Sequence, residues 1–390
     1  MVARFLAAMS TAALAAALFA VAPTAAKAPN DGQAPAAAAA DQKKPKPPKV
    51  WPPDAKALEK RRLEAEALPL FKGEEPVEFV LTADWKAVQR DRDVDSEKLF
   101  PATLAIVTDG KPGDPIPLEL RTRGHVRRNP RVCSFAPLRL ELPKSRTKGT
   151  VFEGHGKIKL NTHCHGDSIF EQYTLKDYLA NLLHNALTPR SLRVRLARVT
   201  YAEAAGGKEP FTKLGLLLED VDDMAARVET RELSVPRQTF QTVDQRQLLF
   251  MSLFQYMIGN TDYSIARLHN VFMLDDTQGV RYTVPYDFDY AGLVGAHYAV
   301  PAKELNLPSV SERMYRGPCK TQAEFDEALA PFREKQAELL ALPATLTRHG
   351  LTGGERKDAE KYLNEFFDLI GRPDRVKRVF VTDCRPIAGM

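Results

Sequence analysis

The chain has few of the features that would assign it quickly to a class of proteins. Among 390 residues there are only four cysteines and two tryptophans, and the net charge is a mild +5. No stripe of lysine and arginine interleaved with aromatic residues is present, so the charge does not indicate a nucleic-acid-binding protein. There is no Ser, His and Asp order with a nucleophile elbow, which disfavours a serine hydrolase. No internal repeat is visible.

The N-terminus predicts a secretory signal peptide, residues 1–26. Arg4 precedes an apolar run, Phe5–Val21, and small residues follow that allow cleavage after Ala22 or Ala26. The apolar run is shorter than the roughly 20 residues that a membrane-spanning helix needs, and no later stretch is apolar enough to span. No cysteine lies near the cleavage sites, which disfavours a lipoprotein. We therefore expect an exported protein, periplasmic or extracellular.

Composition divides the remainder into four parts. Residues 27–53, rich in Ala, Pro and Lys, predict a disordered linker. Residues 54–75 have the propensity of a helical lead-in. Residues 76–219 read as short strands with one main helix, Ser168–Ala186, and residues 220–390 are mainly helical. The strands are predicted at Val77–Thr82, Ala102–Val107, Ile116–Thr122, Pro137–Leu142, Lys157–Leu160, Val194–Tyr201, Leu214–Leu218, Asn270–Leu274 and Arg281–Val284. The later helices are predicted at Val243–Ile258, Gln322–Leu342 and Gly353–Ile370.

The four cysteines predict two disulfide bonds once export is granted. Cys133 and Cys164 flank one strand-rich region, whereas Cys319 and Cys384 both lie near the C-terminus. We favour the pairs Cys133–Cys164 and Cys319–Cys384 over the other pairings. The alternative is a zinc site formed by Cys133 with the run His163–His165. It is disfavoured because neighbouring side chains of a strand point to opposite faces.

The residues that best indicate chemistry lie between Gly259 and Gly292. Asp262 follows an apolar helix, Asn270 opens a strand, and Asp287 and Asp289 follow the next strand. Phosphoryl transfer needs a carboxylate near the acceptor hydroxyl, and it needs oxygen ligands that hold Mg²⁺ against a triphosphate. A hairpin between the two strands would fold these side chains onto one site.

Four segments together resemble the spore coat protein H (CotH) type of atypical kinases, which are found in many exported bacterial proteins. The resemblance covers most of residues 76–293. The segments are Leu120–Gly124, which is similar to an Arg-x-Arg-Gly strand end; Lys159–Asn161, followed by the helix at Ser168; Leu214–Asp222; and Asp262 with Asn270 and the run Val284–Asp289.

The resemblance implies an α+β fold of the two-lobed protein-kinase type, with a β-rich N-lobe, residues 76–219, and a helical C-lobe, residues 220–390. It also implies an enzyme that transfers the γ-phosphoryl group of ATP to a hydroxyl, of protein Ser/Thr or of a small molecule, with Mg²⁺ or Mn²⁺. Asp262 would be the catalytic aspartate, and Asn270 with Asp287 or Asp289 would bind the metal. Glu219 would mark the hinge beside the adenine. Four residues compete as the cation that holds the phosphates: Arg123, Arg139, Lys157 and Lys159.

Other interpretations remain open. The same chain could be a catalytically silent scaffold that binds a cell-surface or wall partner, with the acidic residues serving as turns or as a structural Ca²⁺ site. A hydrolase that uses a metal-bound water is disfavoured, because His269 is the only candidate histidine ligand close to the Asp cluster in sequence. For His269 itself we expect a structural role, since strand alternation would turn it away from Asn270.

Overall fold

The computed structural model describes residues 51–235 and 239–385. The predicted signal peptide and nearly all of the predicted linker therefore lie outside the described residues. The strands are β1 (Val77–Ala83), β2 (Phe100–Thr108), β3 (Lys111–Pro112), β4 (Ile116–Thr122), β5 (Leu138–Glu141), β6 (Lys157–Asn161), β7 (Val194–Glu203), β8 (Phe211–Leu218), β9 (Arg231–Glu232), β10 (Val271–Asp275) and β11 (Arg281–Pro285). The helices are α1 (Ala55–Ala67), α2 (Trp85–Arg90), α3 (Ser168–Leu187), α4 (Val221–Arg227), α5 (Gln245–Ile258), α6 (Gln322–Glu334), α7 (Gln336–Thr345), α8 (Gly353–Ile370) and α9 (Pro373–Val376).

Strands β1 to β8 form one sheet whose main part closes on itself. The order is β1-β7-β8-β6-β5-β4-β2, and β1 also pairs with β2, so that seven strands make a closed β-barrel. Strand β1 runs parallel to β7 and antiparallel to β2, and the short β3 continues from the edge of β2. Alternate residues fill the interior with apolar side chains that are inaccessible to solvent, such as Phe79, Leu104 and Leu140. The apolar residues of the predicted strands therefore supply the inward-facing side chains of this barrel.

The prediction of a two-lobed kinase-type fold is wrong. The β-rich half is a closed barrel rather than an open N-lobe sheet, and one apolar core joins it to the helices. That core contains Leu196 of β7, Leu179 of α3 and Phe254 of α5, and the described residues form one compact unit. The periodicity of a strand reports which face is buried but not which strands pair. The contact between β1 and β7, more than 110 residues apart, could not be deduced from it.

The helical half carries a small three-stranded sheet, with strand order β11-β10-β9. Helix α5 packs against α6, α8 and strand β11. The predicted helix Gln322–Leu342 is in fact two helices, because Lys335 leaves helical geometry (φ −97°, ψ 9°) between α6 and α7. The hairpin of β10 and β11 is confirmed, with Val271 paired to Pro285 and Asp275 to Arg281.

Both predicted disulfide bonds are confirmed. Cys133 is bonded to Cys164 and Cys319 to Cys384. Cys133 and Cys164 are thereby unavailable as thiolate ligands, which rules out the zinc alternative. Two disulfide bonds are typical of proteins from oxidising compartments. In the part of the chain that the structure describes, no helix is both long enough and apolar enough to cross a membrane.

Burial of a neutral histidine predicts acid sensitivity. His184 of α3 is 3% exposed, its ring stacks on Phe254, and burial lowers its pKa to about 3. The pKa of an unfolded histidine is about 6.5, so below that pH the unfolded chain binds a proton that the folded chain does not bind. The contribution to stability is present above about pH 6.5 and falls as the pH decreases, by about 2 kcal/mol at pH 5.

We therefore expect His184→Phe to reduce the loss of unfolding free energy between pH 7 and pH 5, measured by urea denaturation. His125 is exposed, and His125→Phe is the matched control. Its unfolding free energy should fall between pH 7 and pH 5 by the same amount as that of the wild type. If His184→Phe loses as much unfolding free energy between pH 7 and pH 5 as the wild type does, the wild-type imidazole is not buried in its neutral form.

Candidate functional site

A cavity of about 320 Å³ opens where the barrel meets the β10–β11 hairpin and the loop after α5. From the barrel side it is lined by residues 123–127 after β4, by Pro137 and by Asn161. From the helical half it is lined by Asp262, His269, Asn270, residues 286–287 and residues 289–290. Four of the predicted site residues therefore share one cavity with Arg123.

The loop that carries Asp262 begins at a glycine that the backbone requires. Helix α5 ends at Gly259, whose φ of 67° is left-handed and whose Cβ, if present, would overlap the Tyr362 hydroxyl. The carbonyl of Gly259 accepts a hydrogen bond from the Gly292 amide at 3.1 Å. The two ends of the segment from Gly259 to Gly292 are thus fastened together, so that Asp262 returns to the same place as the residues after β11.

Both carboxylate oxygens of Asp262 are held by neighbours. His269 Nε2 lies 3.0 Å from Oδ1, and Asn270 Nδ2 donates to Oδ2 at 3.0 Å and to the Asp262 carbonyl at 2.8 Å. The hydrogen bond with Asp262 raises the pKa of His269 above its ordinary value. Asp262 nevertheless keeps 39% of its side chain exposed. A fixed and accessible carboxylate is the geometry that a general base requires.

The hairpin brings Asn270 and Asp287 together. Val271 pairs with Pro285, and the Tyr286 amide donates to the Asn270 carbonyl at 3.0 Å. Asn270 and Asp287 both adopt left-handed backbone conformations, with φ of 53° and 63°. Because these residues stand at the base of the hairpin and outside its regular pairing, strand alternation does not govern their side chains.

Asp289 is the deepest carboxylate of the cavity. It is 7% exposed and accepts a hydrogen bond from the Tyr298 hydroxyl at 3.1 Å. Burial, with the nearby charge of Asp287, raises its pKa to about 7. Asp177 of α3 lies near it, beside a small pocket that both carboxylates line, and burial raises the pKa of Asp177 to about 8. Burial and mutual repulsion thus push both groups towards the neutral form, which a bound cation would reverse.

Two guanidinium groups face these carboxylates. Arg123 Nη1 donates to Asn161 Oδ1 at 2.6 Å, and Arg127 Nη2 donates to the Thr162 carbonyl at 2.5 Å. Burial lowers the pKa of Arg123. For Arg127 the nearby acidic groups, led by Tyr298 and Asp289, outweigh burial and raise the pKa.

The other three predicted cations do not line the cavity. Arg139 is bound to Glu141 at 2.6 Å, and Lys157 lies 3.2 Å from Asp220 and 3.4 Å from Asp222. Lys159 is closer to the site. Its ammonium group lies 5.1 Å from the ring centre of Phe272, and burial lowers its pKa to about 8. Arg123 is therefore the one of the four candidates that reaches the cavity.

Glu219, predicted to mark an adenine-binding hinge, lies outside the cavity. Its side chain is fully buried, and its carboxylate is bound by Arg193 at 2.7 Å and by Arg227 at 3.0 Å. It also accepts a hydrogen bond from the Arg193 amide at 2.8 Å. This carboxylate ties the end of β8 to α4 and to the start of β7.

The donor set of the cavity fits magnesium. Asn270, Asp287 and Asp289 offer only oxygen ligands, and Mg²⁺ is usually held by one or two carboxylates together with substrate phosphates. Across residues 51–235 and 239–385, no three His, Cys, Asp or Glu side chains are grouped to hold a metal ion. An octahedral Mg²⁺ held by these three side chains would keep coordination positions for water or for phosphate oxygens.

Sequence reasoning missed Arg127 and Asp177 as residues of the site and misjudged the orientation of His269. His269 was expected to turn away from Asn270, but both contact Asp262, because regular strand geometry begins only at Val271. Arg127 had no distinguishing signal within the basic stretch that follows β4. Asp177 carried a faint one, since an aspartate in the middle of a helix buried on most of its surface is uncommon.

Comparison with known proteins adds no assignment. No protein-family model matches the chain, and no curated protein matches it.

Proposed function

We propose that the chain is a magnesium-dependent phosphotransferase that transfers the γ-phosphoryl group of ATP to a hydroxyl group, of protein Ser/Thr or of a small molecule. One observation carries the proposal. Asp262, Asn270, Asp287 and Asp289 line a single cavity with the guanidinium groups of Arg123 and Arg127. Carboxylates suited to a metal ion and arginines suited to phosphate, converging in one cavity, form the set of groups that phosphoryl transfer uses.

Each residue has a role that follows from its position. Asp262 orients the acceptor hydroxyl and accepts its proton as the oxygen attacks the γ-phosphorus, while the bond from that phosphorus to the bridging oxygen breaks and ADP leaves. His269 and Asn270 keep the Asp262 carboxylate in place. Asn270, Asp287 and Asp289 would hold Mg²⁺, which when bound neutralises charge on the phosphates. Arg123 and Arg127 would bind phosphate oxygens.

The cellular setting belongs to the same proposal. We infer that the protein is exported and acts in the periplasm or outside the cell, as its N-terminal sequence predicts and as its two disulfide bonds support. ATP is scarce there, so either the protein meets nucleotide during export or another phosphorylated donor replaces ATP. The argument for activity rests on the site and not on the fold, since one fold hosts many functions.

Thermal unfolding with and without nucleotide tests the proposal. Mg²⁺-ATP at 100 times its Kd should stabilise the folded protein by about 2.7 kcal/mol. The control is ATP with EDTA, which should give a much smaller shift because the carboxylates repel a triphosphate that carries no metal. No shift at millimolar Mg²⁺-ATP, or at millimolar concentrations of other phosphorylated donors, would contradict the proposal and favour a silent scaffold.

A further inference from the structure

Arg123 makes a contact with a buried residue that its proposed task does not explain. The residue follows the last residue of β4, and its guanidinium donates to Asn161 Oδ1 at 2.6 Å. Asn161 is the last residue of β6 and is 5% exposed, so its position is set by the barrel. The contact holds the guanidinium group at the barrel side of the cavity.

Asn161 is in turn connected to helix α3. Asn161 lines the same small pocket as the carboxyl group of Asp177, which is 4% exposed, and its side chain is close enough to lower the pKa that burial of Asp177 raises. The other side of Asp177 is held by Asn181, whose amide donates to Asp177 Oδ1 at 3.1 Å and to the Asp177 carbonyl at 2.9 Å. A chain of polar groups therefore runs from Asp177 of α3 through the buried Asn161 to Arg123.

Burying a carboxyl group such as that of Asp177 lowers the stability of the fold, so its presence beside the site indicates a role there. Desolvation and the negative charges of Asp289 and Asp287 disfavour the charged form of Asp177. An arginine side chain has large rotamer freedom, and fixing it in advance removes an entropic cost from phosphate binding. Asp177 and Asn161 together hold the Arg123 side chain in one position before phosphate binds.

We propose that Asp177 is a positioning residue that holds the Arg123 guanidinium, through Asn161, at the phosphate-binding side of the cavity. The inference rests on the proposed function and extends it to a residue that touches neither substrate nor metal. Removal of Asp177 releases Asn161 and then Arg123, so affinity for the phosphate chain falls while proton transfer by Asp262 is retained.

The test compares Asp177→Ala, Asp177→Asn and the wild type. Kd for Mg²⁺-ATP and for magnesium pyrophosphate is measured by calorimetry, and KM and kcat are measured for phosphoryl transfer. We expect Asp177→Ala to raise both Kd values and KM about tenfold, with kcat changed less than about twofold. Asp177→Asn keeps a polar group within reach of Asn161 and should recover most of the affinity.

Lys176→Gln is the matched control, because Lys176 neighbours Asp177 on α3 but pairs with Glu355 at 2.6 Å. It should bind both probes as the wild type does. If Asp177→Ala does not fold, Asn161→Ala breaks the same chain of contacts and should show the same rise in Kd. Wild-type affinity in a folded Asp177→Ala or Asn161→Ala protein overturns the inference alone. A wild-type protein that binds neither probe overturns the proposed function, and the inference with it.

Discussion

Replacement of Asp262 by asparagine should lower the rate of phosphoryl transfer by about 10²- to 10⁴-fold, the usual contribution of a positioned general base. Asparagine has the shape of aspartate and can still bond His269 and Asn270, but it cannot accept the proton of the attacking hydroxyl. The affinity for Mg²⁺-ATP should stay within about threefold of the wild type, because Asp262 is not placed among the metal ligands. The loss should appear in kcat and kcat/KM alike, as for an interaction made only in the transition state.

The measurement is a single-turnover assay with radiolabelled ATP on highly purified protein. Asp109→Asn is the matched control. Asp109 is exposed in the turn between β2 and β3 with a φ of 50°, a conformation that asparagine tolerates. The activity of the Asp109→Asn protein should equal that of the wild type. Wild-type activity in Asp262→Asn protein would remove Asp262 from the mechanism.

Replacement of both Asp287 and Asp289 by asparagine should abolish the stabilisation of the protein by Mg²⁺-ATP. The cavity would then keep Arg123 and Arg127 but lose the two carboxylates proposed to hold the ion. ATP without metal should bind the double variant at least as well as it binds the wild type, because two negative charges beside the phosphates are gone. We therefore expect the wild type to bind Mg²⁺-ATP more tightly than metal-free ATP, and the double variant to show the reverse order of affinity.

Thermal unfolding at several Mg²⁺ concentrations measures this exchange, and the two single variants decide which carboxylate is the stronger ligand. Asp222 and Asp223, neighbouring carboxylates of α4 outside the cavity, give the matched double control with asparagine at both positions. A double variant at residues 287 and 289 that still responds to Mg²⁺-ATP as the wild type does would place the ion elsewhere.

Local sequence determined most of the elements and part of the site. The strands β1, β4 and β8 and the helices α3, α5 and α8 lie where local composition and the spacing of apolar residues predicted them, because both are properties of each segment alone. The disulfide pairing also followed from sequence separation and order. The hairpin that carries Asn270 and Asp287 could be predicted because its two strands are adjacent in the chain.

Only the tertiary structure decided how distant segments meet. The pairing of β1 with both β2 and β7, which closes the barrel, depends on contacts between strands far apart in sequence, and no periodicity encodes them. The choice of Arg123 among four cations has the same origin, since Arg139 and Lys157 are drawn to Glu141 and Asp220 by neighbours that spacing does not reveal. Asp177 entered the site for that reason too. Helix α3 buries the side chains that face the strands and helices packed against it, and the local sequence does not determine which elements those are.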